Sequence, residues 1–444
     1  MTKPTLFLII LIEGFITIAI EILSIRQMVP FVGSNILNTS IILGVFLLSL
    51  SIGYYRGGLI NERYQSVLLS NLTKTLAFVS FGLSYMFLSF LFSHFESLVG
   101  LLIFSVFIMA PTVFYLGQTI PILTNLIKNE RNGKISGQLL FLSTFGSFLG
   151  SIVTSVILLN YFGANATVMF VIFLLALLIV FLSWQERSRF IKSMIFVALL
   201  MPIVVVANSN YLFIKTNNYS NIRVIENNAS KYLIINDGGS SSYNPKNNAS
   251  DFEYIKIIQS YVQSLSVSSA KNILVIGAGG FTVSLNDNKN NYTYVDIDKD
   301  LKVISEKSLL GQVINGKFVA DDGRHFLIKN KEKFDIIIVD VYSNKNSIPS
   351  SFVTADFYNK LTTTLSKDGI LIVNTISKPL FRDSYSRKLN HSILESFDCQ
   401  VSPIHNDLTE NQNIIYACSA KDMTDTNPIY TDNLANLFDL ASIN

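Results

Sequence analysis

The chain has 444 residues, a mean hydropathy of +0.42 and a formal net charge of +3. It is too long for one ordinary domain and too apolar for a uniformly water-soluble protein. The small charge, without basic clusters interleaved with aromatic residues, gives a nucleic-acid partner little support, so we expect none. The two cysteines, Cys399 and Cys418, form no CxxC and have no histidine spacing typical of zinc, so we expect no metal site.

Ionisable residues are concentrated in the second half. Residues 1–207 hold 11 Lys and Arg and 6 Asp and Glu, which leaves 34 − 11 = 23 basic and 31 − 6 = 25 acidic residues for the remainder. Apolar runs of membrane-spanning length recur through the first half. They are Thr5–Ile25, Leu37–Tyr55, Thr75–Leu91, Val99–Leu116, Leu139–Leu159, Ala164–Trp184 and Ile191–Ala207. We therefore predict a transmembrane helical domain over residues 1–207 with about seven spans, six and eight being the alternatives.

The first apolar run contains Glu13 and Glu21 and lacks a small-residue cleavage site, so we expect it to be retained rather than removed as a signal peptide. Within or beside a span these two carboxylates and Arg26 are expensive to bury, which makes them candidates for a cation path. A Glu21–Arg26 pair that fixes helix packing is the alternative, and it is favoured. Gly146 and Gly150 form a GxxxG pattern that lets a second helix approach closely.

Basic residues collect in alternate loops between the apolar runs. The loops that carry them contain Arg56 and Arg63, then Lys128, Arg131 and Lys134, then Arg187, Arg189 and Lys192. Because positive residues mark the cytoplasmic side, seven spans with Lys3 inside would put the rest of the chain on the outer face. This multi-pass chain is expected in an inner or plasma membrane, and the side of its C-terminal part stays open.

The second half begins with turn-prone asparagines and then alternates apolar and polar residues at Ile222–Val224 and Tyr232–Ile235, around a turn at Asp237–Gly239. This pattern predicts a small β-hairpin domain over residues 208–265. From Lys271, short apolar strands alternate with helical stretches, which indicates a mostly parallel α/β sheet over residues 266–444. The expected strands are Ile273–Ile276, Tyr292–Ile297, Lys317–Ala320, Phe334–Val339 and Ile370–Val373, followed by an antiparallel pair, Gln400–Ile404 and Asn413–Ala417.

A glycine-rich turn follows the first of these strands. Gly277 and Gly279 allow the backbone to turn tightly against a ligand, and Asp296 ends the next strand 17 positions beyond Gly279. A carboxylate there can accept both hydroxyls of a ribose. Asp322 and Asp340 follow the third and fourth strands, at the edge where open α/β sheets bind ligands. A helix cap or a turn is the alternative interpretation of each aspartate.

These motifs occur in the order that resembles the spermidine synthase (polyamine aminopropyltransferase) family. The residues that carry the resemblance are Ile273–Gly280, Val295–Asp298, Asp322–Leu327, Phe334–Asp340 and Phe357–Tyr358, preceded by the Asp237–Gly238 turn and Tyr254. The first half resembles the fused transporter-like/spermidine synthase proteins, through Glu21, Arg26, Pro30 and Gly33–Ser34 and through Gly117–Pro121. The resemblance implies a Rossmann-like, methyltransferase-type sheet.

The resemblance also implies site roles. Gly277 and Gly279 would approach S-adenosylmethionine or its decarboxylated form, Asp296 would bind the ribose, and Asp322 would bind the adenine. Asp340 would be the general base on the attacking amine. Tyr254 and Asp237 would contact the substrate, and no metal is implied.

Several positions depart from the family pattern. Its aspartate in the glycine loop is replaced by Gly280 or Phe281, and its second acidic residue after the base is replaced by Ser343. The glutamine that follows the hairpin turn is missing among Ser240–Ser242, Ile255 replaces a polar residue, and Val401–Tyr416 lacks a Pro–Trp segment. Because these changes remove carboxylates that would hold a diamine, the acceptor stays open.

Two functions follow. The first is a membrane-anchored transferase that uses a sulfonium cofactor and transfers an aminopropyl group to a small-molecule amine. The alternative is a non-catalytic domain that binds or senses an amine for a membrane transporter. The expected partners are the lipid bilayer and the amine. The acceptor, the catalytic competence, any transport and the oligomeric state stay open, as does pairing of Cys399 with Cys418, which an outer-face location would favour.

Overall fold

The computed structural model describes residues 3–33, 36–127, 132–184, 187–208, 213–227, 229–342, 348–405, 407 and 409–421. Ser343, Lys128 and Arg131, on which parts of the sequence analysis rest, lie outside these residues. The chain divides into two compact units. Of the described residues, 3–32, 38–208 and 216–218 belong to the first, which is helical, and the others belong to the second, which contains the strands from residue 219 onwards.

The first unit is helical. Its helices are α1 (Lys3–Val32), α2 (Ile36–Gly58), α3 (Tyr64–Gly82), α4 (Tyr85–His94), α5 (Ser97–Phe104), α6 (Ala110–Gly117), α7 (Thr119–Leu126), α8 (Asn132–Ile152), α9 (Gly163–Ser183) and α10 (Arg187–Asn208). Wider π-helical turns connect α5 to α6 over Ser105–Met109 and α8 to α9 over Val153–Phe162. Arg26 lies inside α1 and is buried.

By length and composition, five helices of the described chain could cross a membrane, or six if the bent pair α3–α4 is one span. The five are Lys3–Val32, Ile36–Gly58, Ser97–Leu126, Gly133–Ser183 and Ser188–Val206. The predicted number of seven stays a prediction. Two of the seven predicted runs fall on Gly133–Ser183, whose 51 residues would extend about 76 Å as a straight helix, more than twice the hydrocarbon core of a bilayer. The backbone of Gly163, with φ +82°, interrupts this stretch.

Glycines let α1 and α8 pack backbone to backbone. A Cβ built at Gly146 would overlap the carbonyl oxygen of Leu11, and one at Gly150 would lie 2.7 Å from the carbonyl oxygen of Phe15. Such close approach is the usual role of small residues in helix pairs within membranes. Large apolar side chains also cover the outside of the unit, where Phe107 and Phe141 are each 66% exposed.

The second unit contains two sheets. The smaller has the order β1–β2–β3–β4, with β1 Lys215–Thr216, β2 Asn221–Asn227, β3 Ser230–Ile235 and β4 Gly238–Tyr243. A two-residue turn joins β3 to β4, and both of its residues, Asn236 and Asp237, have positive φ. Asparagine and aspartate tolerate that backbone region better than other side chains do, which allows the tight two-residue turn. The pairing of β3 with β4 shifts register between Leu233 and Ile234.

The larger sheet has seven strands in the order β10–β11–β9–β8–β5–β6–β7. Its strands are β5 Asn272–Ile276, β6 Asn291–Asp296, β7 Lys317–Ala320, β8 Phe334–Val339, β9 Leu365–Ser377, β10 Phe397–Pro403 and β11 Gln412–Ala420. The strands β5 to β9 pair in parallel, and the β10–β11 hairpin adds in antiparallel fashion. The helices of this unit are α11 Glu253–Leu265, α12 Leu301–Ile304, α13 Gly323–Lys329, α14 Ala355–Thr362 and α15 Ser384–Ser396. This is the Rossmann-like α/β sheet that the strand–helix alternation predicts.

Both faces of the large sheet are covered, as a parallel sheet requires. Leu274 and Ile276 of β5 belong to one apolar cluster, whereas Ile273 and Val275 belong to the other. All four side chains are at most 1% exposed, so the strand is a continuous apolar run instead of an alternating one. Because β5 lies between β8 and β6, the chain reverses its winding direction beside β5, and a crevice opens at the carboxyl ends of these strands.

Cys399 and Cys418 face each other across the β10–β11 hairpin and form a disulfide. The bond closes a short loop, so reduction is expected to destabilise the second unit by about 3 kcal/mol. Scanning calorimetry of the full-length protein with and without reductant measures this effect, with Cys399→Ser/Cys418→Ser as the unreducible control. Maleimide labelling of the untreated protein in isolated membranes would contradict the disulfide if both thiols reacted.

Candidate functional site

The predicted glycine turn joins β5 to the following loop. Gly277 has φ +91° and Gly279 has φ +48°, conformations that favour glycine. A Cβ built at Gly277 would overlap the carbonyl oxygen of Asp340, and one at Gly279 would lie 3.0 Å from the Ser241 Oγ. The first glycine therefore allows the ends of β5 and β8 to touch, and the second allows β4 to approach the loop.

Asp296, at the end of β6, binds the backbone of the glycine loop. Its Oδ2 accepts a hydrogen bond from the Ala278 N–H (2.9 Å), and its Oδ1 accepts one from the Asp298 N–H (3.0 Å). Burial raises the pKa of Asp296 to about 6, although these N–H donors act in the opposite direction. A carboxylate oxygen can accept more than one hydrogen bond, so Asp296 could also accept from the hydroxyls of a ligand.

Asp340, at the end of β8, is held at both oxygens. The Asn374 amide donates to its Oδ1 (2.8 Å), and the Tyr254 hydroxyl donates to its Oδ2 (3.3 Å). Burial raises the pKa of this carboxyl to about 6, and the two donors partly offset the effect. Burial and the neighbouring Asp340 charge hold the pKa of Tyr254 well above its usual range, so the phenol acts as a donor. A carboxyl that titrates near neutrality suits proton transfer.

A hydrogen bond from Asn413 fixes the orientation of the Asn374 amide. Asn413 on β11 donates its side-chain N–H to the Asn374 Oδ1 (2.9 Å), which leaves the Asn374 NH₂ group for Asp340. Sequence reasoning missed both asparagines. Asn374 directly follows the apolar run Ile370–Val373, level with the carboxyl end of β8, a position that could have flagged it. Asn413 reaches Asn374 only through the antiparallel register of β11.

Asp322 is the N-cap of α13. Its Oδ1 accepts hydrogen bonds from the backbone N–H groups of Arg324 (2.9 Å) and His325 (3.0 Å), which is the usual role of aspartate at a helix start. The neighbouring Asp321 contacts the His325 Nδ1 at 2.7 Å, and this contact lowers the pKa of Asp321. Contact of Asp322 with an adenine stays a prediction.

Asp237 lies in the β3–β4 turn, where its Oδ1 is 3.1 Å from the Arg223 Nη2. The structure thus gives this carboxylate a partner within the hairpin, and its contact with a substrate stays a prediction. The serines that follow the turn lie beside the glycine loop instead. Ser241 Oγ accepts a hydrogen bond from the Gly280 N–H (2.8 Å), and the Ser240 carbonyl accepts one from Tyr254 (3.3 Å).

Phe281 follows the glycines with φ +59° and is 1% exposed. Its ring packs edge-on against Tyr294 and Phe318. The side chain at this position is therefore part of the apolar core, and the loop carries no carboxylate at residues 277–281. Within the described residues, no group of three or more His, Cys, Asp or Glu side chains is arranged to hold a metal ion.

Comparisons with known proteins agree with the order of these motifs. Residues 252–426 match the family described as the spermine/spermidine synthase domain. A polyamine aminopropyltransferase from Pyrobaculum islandicum is 30% identical over 145 residues, which are 29% of this chain and 49% of the relative. Polyamine aminopropyltransferase 2 from Aquifex aeolicus is 31% identical over 86 residues, 18% of this chain and 17% of the relative.

Among solved structures, a probable spermidine synthase from Corynebacterium glutamicum aligns with 20% identity and a TM-score of 0.39, covering 47% of this chain and 80% of that one. The chain spans about half the length of the first curated relative and about a sixth of the second. The C-terminal part of this chain resembles the spermine/spermidine synthases.

Proposed function

We propose that the second unit is a transferase that binds S-adenosylmethionine or its decarboxylated form and transfers an alkyl group, an aminopropyl group in the decarboxylated case, to an amine. The observation that carries this proposal is the contact between Gly277 and the backbone of Asp340. Gly277 of the glycine loop and the candidate base Asp340 therefore lie side by side at one edge of the sheet. An amine and an electrophilic carbon bound there would be neighbours, and such positioning is a large part of catalysis.

The residues fit a sulfonium nucleoside. Asp296 can accept hydrogen bonds from the ribose hydroxyls beside those from the backbone, and Gly277 and Gly279 place no side chains at the turn. The bound sulfonium supplies an activated carbon and a neutral thioether as leaving group. A carboxylate at Asp340, held by Asn374 and Tyr254, accepts the proton that the amine loses as its new N–C bond forms.

Calorimetry on the full-length protein in detergent tests the cofactor half of the proposal. Methylthioadenosine and at least one of the two sulfonium compounds are expected to bind. Asp296→Asn should weaken binding about 10- to 100-fold, because hydrogen bonds to a charged group are worth about 1.5–3 kcal/mol. Asp368→Asn, exposed near the start of β9, is the matched control. No binding by any of the three compounds would refute the proposal.

Asn374→Ala is expected to shift the pH dependence of transfer. Removal of the donor to Asp340 destabilises the carboxylate, so its pKa rises further from about 6, by about one unit for each 1.4 kcal/mol lost. Activity should therefore fall most at acidic and neutral pH and recover in alkali. A pH–rate profile measures the shift, and a uniform loss at every pH would contradict it.

The first unit supports membrane anchoring. Its candidate spans and its exposed phenylalanines suit a lipid environment. The disulfide favours an oxidising compartment for the second unit, in line with the loop charges. Reporters fused after Asn444 that work only inside or only outside the cell test the side. An outer location together with cofactor binding but no turnover would favour an amine-binding or sensing domain instead.

A further inference from the structure

Glu13 is a buried carboxylate in the middle of the helical unit, and the proposed transferase does not use it. Its side chain is 3% exposed and lies between Ile9, Ile10 and Ile16 along the same helix, each of which is fully buried. An isolated ionised carboxylate in such surroundings is strongly unfavourable, so the group must either gain a cation or hold a proton.

The two oxygens of Glu13 differ in their partners. Oε1 accepts a hydrogen bond from the Thr17 hydroxyl (2.9 Å), one helical turn further along α1. Oε2 is buried and has no hydrogen-bond partner within the part of the chain that the structure describes. The Thr17 hydroxyl is also 2.9 Å from the Glu13 carbonyl oxygen, so this donor is shared. The site therefore offers one fixed oxygen and one oxygen open to a ligand.

The surroundings of Glu13 supply no cation at contact distance among the described residues. Titratable side chains on the elements that pack against α1 are Lys134 on α8, Tyr161 on the π-helical turn before α9, Tyr85 and His94 on α4, and Tyr115 on α6. The elements α5, α7 and α9 carry none. On α2, the Tyr54 phenol lies within electrostatic range of Glu13.

Distances along the helices keep the other charges away. On α1 itself Lys3, Glu21 and Arg26 lie about 15, 12 and 20 Å from Glu13 at 1.5 Å per residue. On α8, Ser143 lies beside Gly14. Lys134 lies nine residues before Ser143, a distance of about 14 Å along the helix. The buried Arg26 guanidinium donates its Nε–H to the Asn217 carbonyl oxygen. Glu21 is only partly buried.

We propose that Glu13 is a proton-binding site of the helical unit, at which Oε2 takes up and releases a proton while Thr17 holds Oε1. The ligand is a proton, and binding converts an unpaired buried charge into a neutral carboxylic acid. A carboxyl that changes its charge inside a helix bundle is the chemistry that membrane carriers use to couple a solute to a proton gradient. This assignment is independent of the transferase proposal.

Carbodiimide labelling tests the proposal on the full-length protein in liposomes. Dicyclohexylcarbodiimide is an apolar reagent that attacks protonated carboxyl groups. At neutral pH, Glu13 is expected to react more than about tenfold faster than Glu21, because the buried Glu13 must hold a proton to stay neutral, whereas Glu21 is only partly buried. Peptide mass spectrometry identifies the labelled residue, and the rate at Glu13 should fall as the pH is raised into the alkaline range.

Infrared spectroscopy gives a second measurement with a variant that preserves shape. The carbonyl band of a protonated carboxylic acid should be present at neutral pH and absent in Glu13→Gln, and Glu21→Gln should keep it. Equal or faster labelling of Glu21, or absence of the acid band, would overturn the assignment. Protection of Glu13 by Na⁺ at constant pH would also overturn it, because the ligand would then be a metal cation.

Discussion

Replacement of Asp340 by asparagine is expected to lower the turnover of amine alkylation about 100- to 10,000-fold, the usual contribution of a general base. Asparagine keeps the shape of the side chain and an oxygen for Tyr254, but it has no charge to accept the proton of the attacking amine. Cofactor affinity should change little, because the ribose contacts are assigned to Asp296. Steady-state kinetics and calorimetry with methylthioadenosine separate the two effects.

In the same variant, the dependence of the transfer rate on pH is expected to change. Burial raises the pKa of Asp340 to about 6, so the wild-type carboxyl is protonated and inactive below that pH and becomes a competent base above it. The logarithm of the rate should rise with pH until about pH 6 and then level off. In Asp340→Asn this rise should be absent, since the titrating group is gone.

Asp335→Asn is the matched control, because Asp335 lies on the same strand at its opposite end. Its carboxylate accepts hydrogen bonds from the Asn272 N–H and the Ser366 hydroxyl, remote from the carboxyl edge of the sheet. The control should keep turnover within about twofold, in line with substitutions away from a site. Normal turnover in Asp340→Asn would remove the general-base role, and loss of turnover in both variants would point to a folding effect.

The sheet could be predicted from the sequence because its central strands are short apolar runs separated by glycine and aspartate. The expected strands at Lys317–Ala320 and Phe334–Val339 coincide with β7 and β8. The final strand of the parallel set is longer than predicted, since β9 runs from Leu365 to Ser377 and includes polar residues that the apolar pattern leaves out. The strand β9 continues through Asn374, whose amide donates to Asp340, and ends at Ser377.

The site was less predictable than the sheet. Acidic residues at strand ends are visible in a sequence, so Asp296 and Asp340 could be named in advance. Their protein partners depend on contacts between segments far apart in the chain: 34 residues separate Asn374 from Asp340, and 39 separate Asn413 from Asn374. No local pattern encodes such pairs. The cap role of Asp322 was available as the alternative interpretation, and the structure supplies the hydrogen bonds for it.

The helical unit illustrates a different limit. Apolar length predicts spans well, but the ends of helices are set by packing. The helix α1 continues beyond the apolar run to Val32, with Arg26, Gln27 and Pro30 buried in the unit. A hydropathy scale counts only the unfavourable burial of the Arg26 charge. In the structure its Nε–H donates a hydrogen bond to the Asn217 carbonyl oxygen.

Gly277→Ala is expected to abolish cofactor binding and to destabilise the second unit by about 2–5 kcal/mol. A Cβ at this position would overlap the carbonyl oxygen of Asp340, and the neighbouring Val341 side chain would be 3.3 Å from it. Overpacking of this kind costs about 1–3 kcal/mol, and the φ of +91° adds about 1–2 kcal/mol for a residue with a Cβ. Both effects act where the glycine loop contacts the backbone of Asp340, the candidate base.

Gly239→Ala on β4 is the control for the loss of a glycine. A Cβ there would lie 3.5 Å from the Phe252 ring, an ordinary contact, and the residue has no positive φ. Scanning calorimetry should give a lower unfolding temperature for Gly277→Ala only, and titration with methylthioadenosine should give no binding for that variant. If Gly277→Ala bound the nucleoside as well as Gly239→Ala does, the backbone contact between Gly277 and Asp340 would not form part of the cofactor site, and the ligand would have to lie elsewhere along the sheet edge.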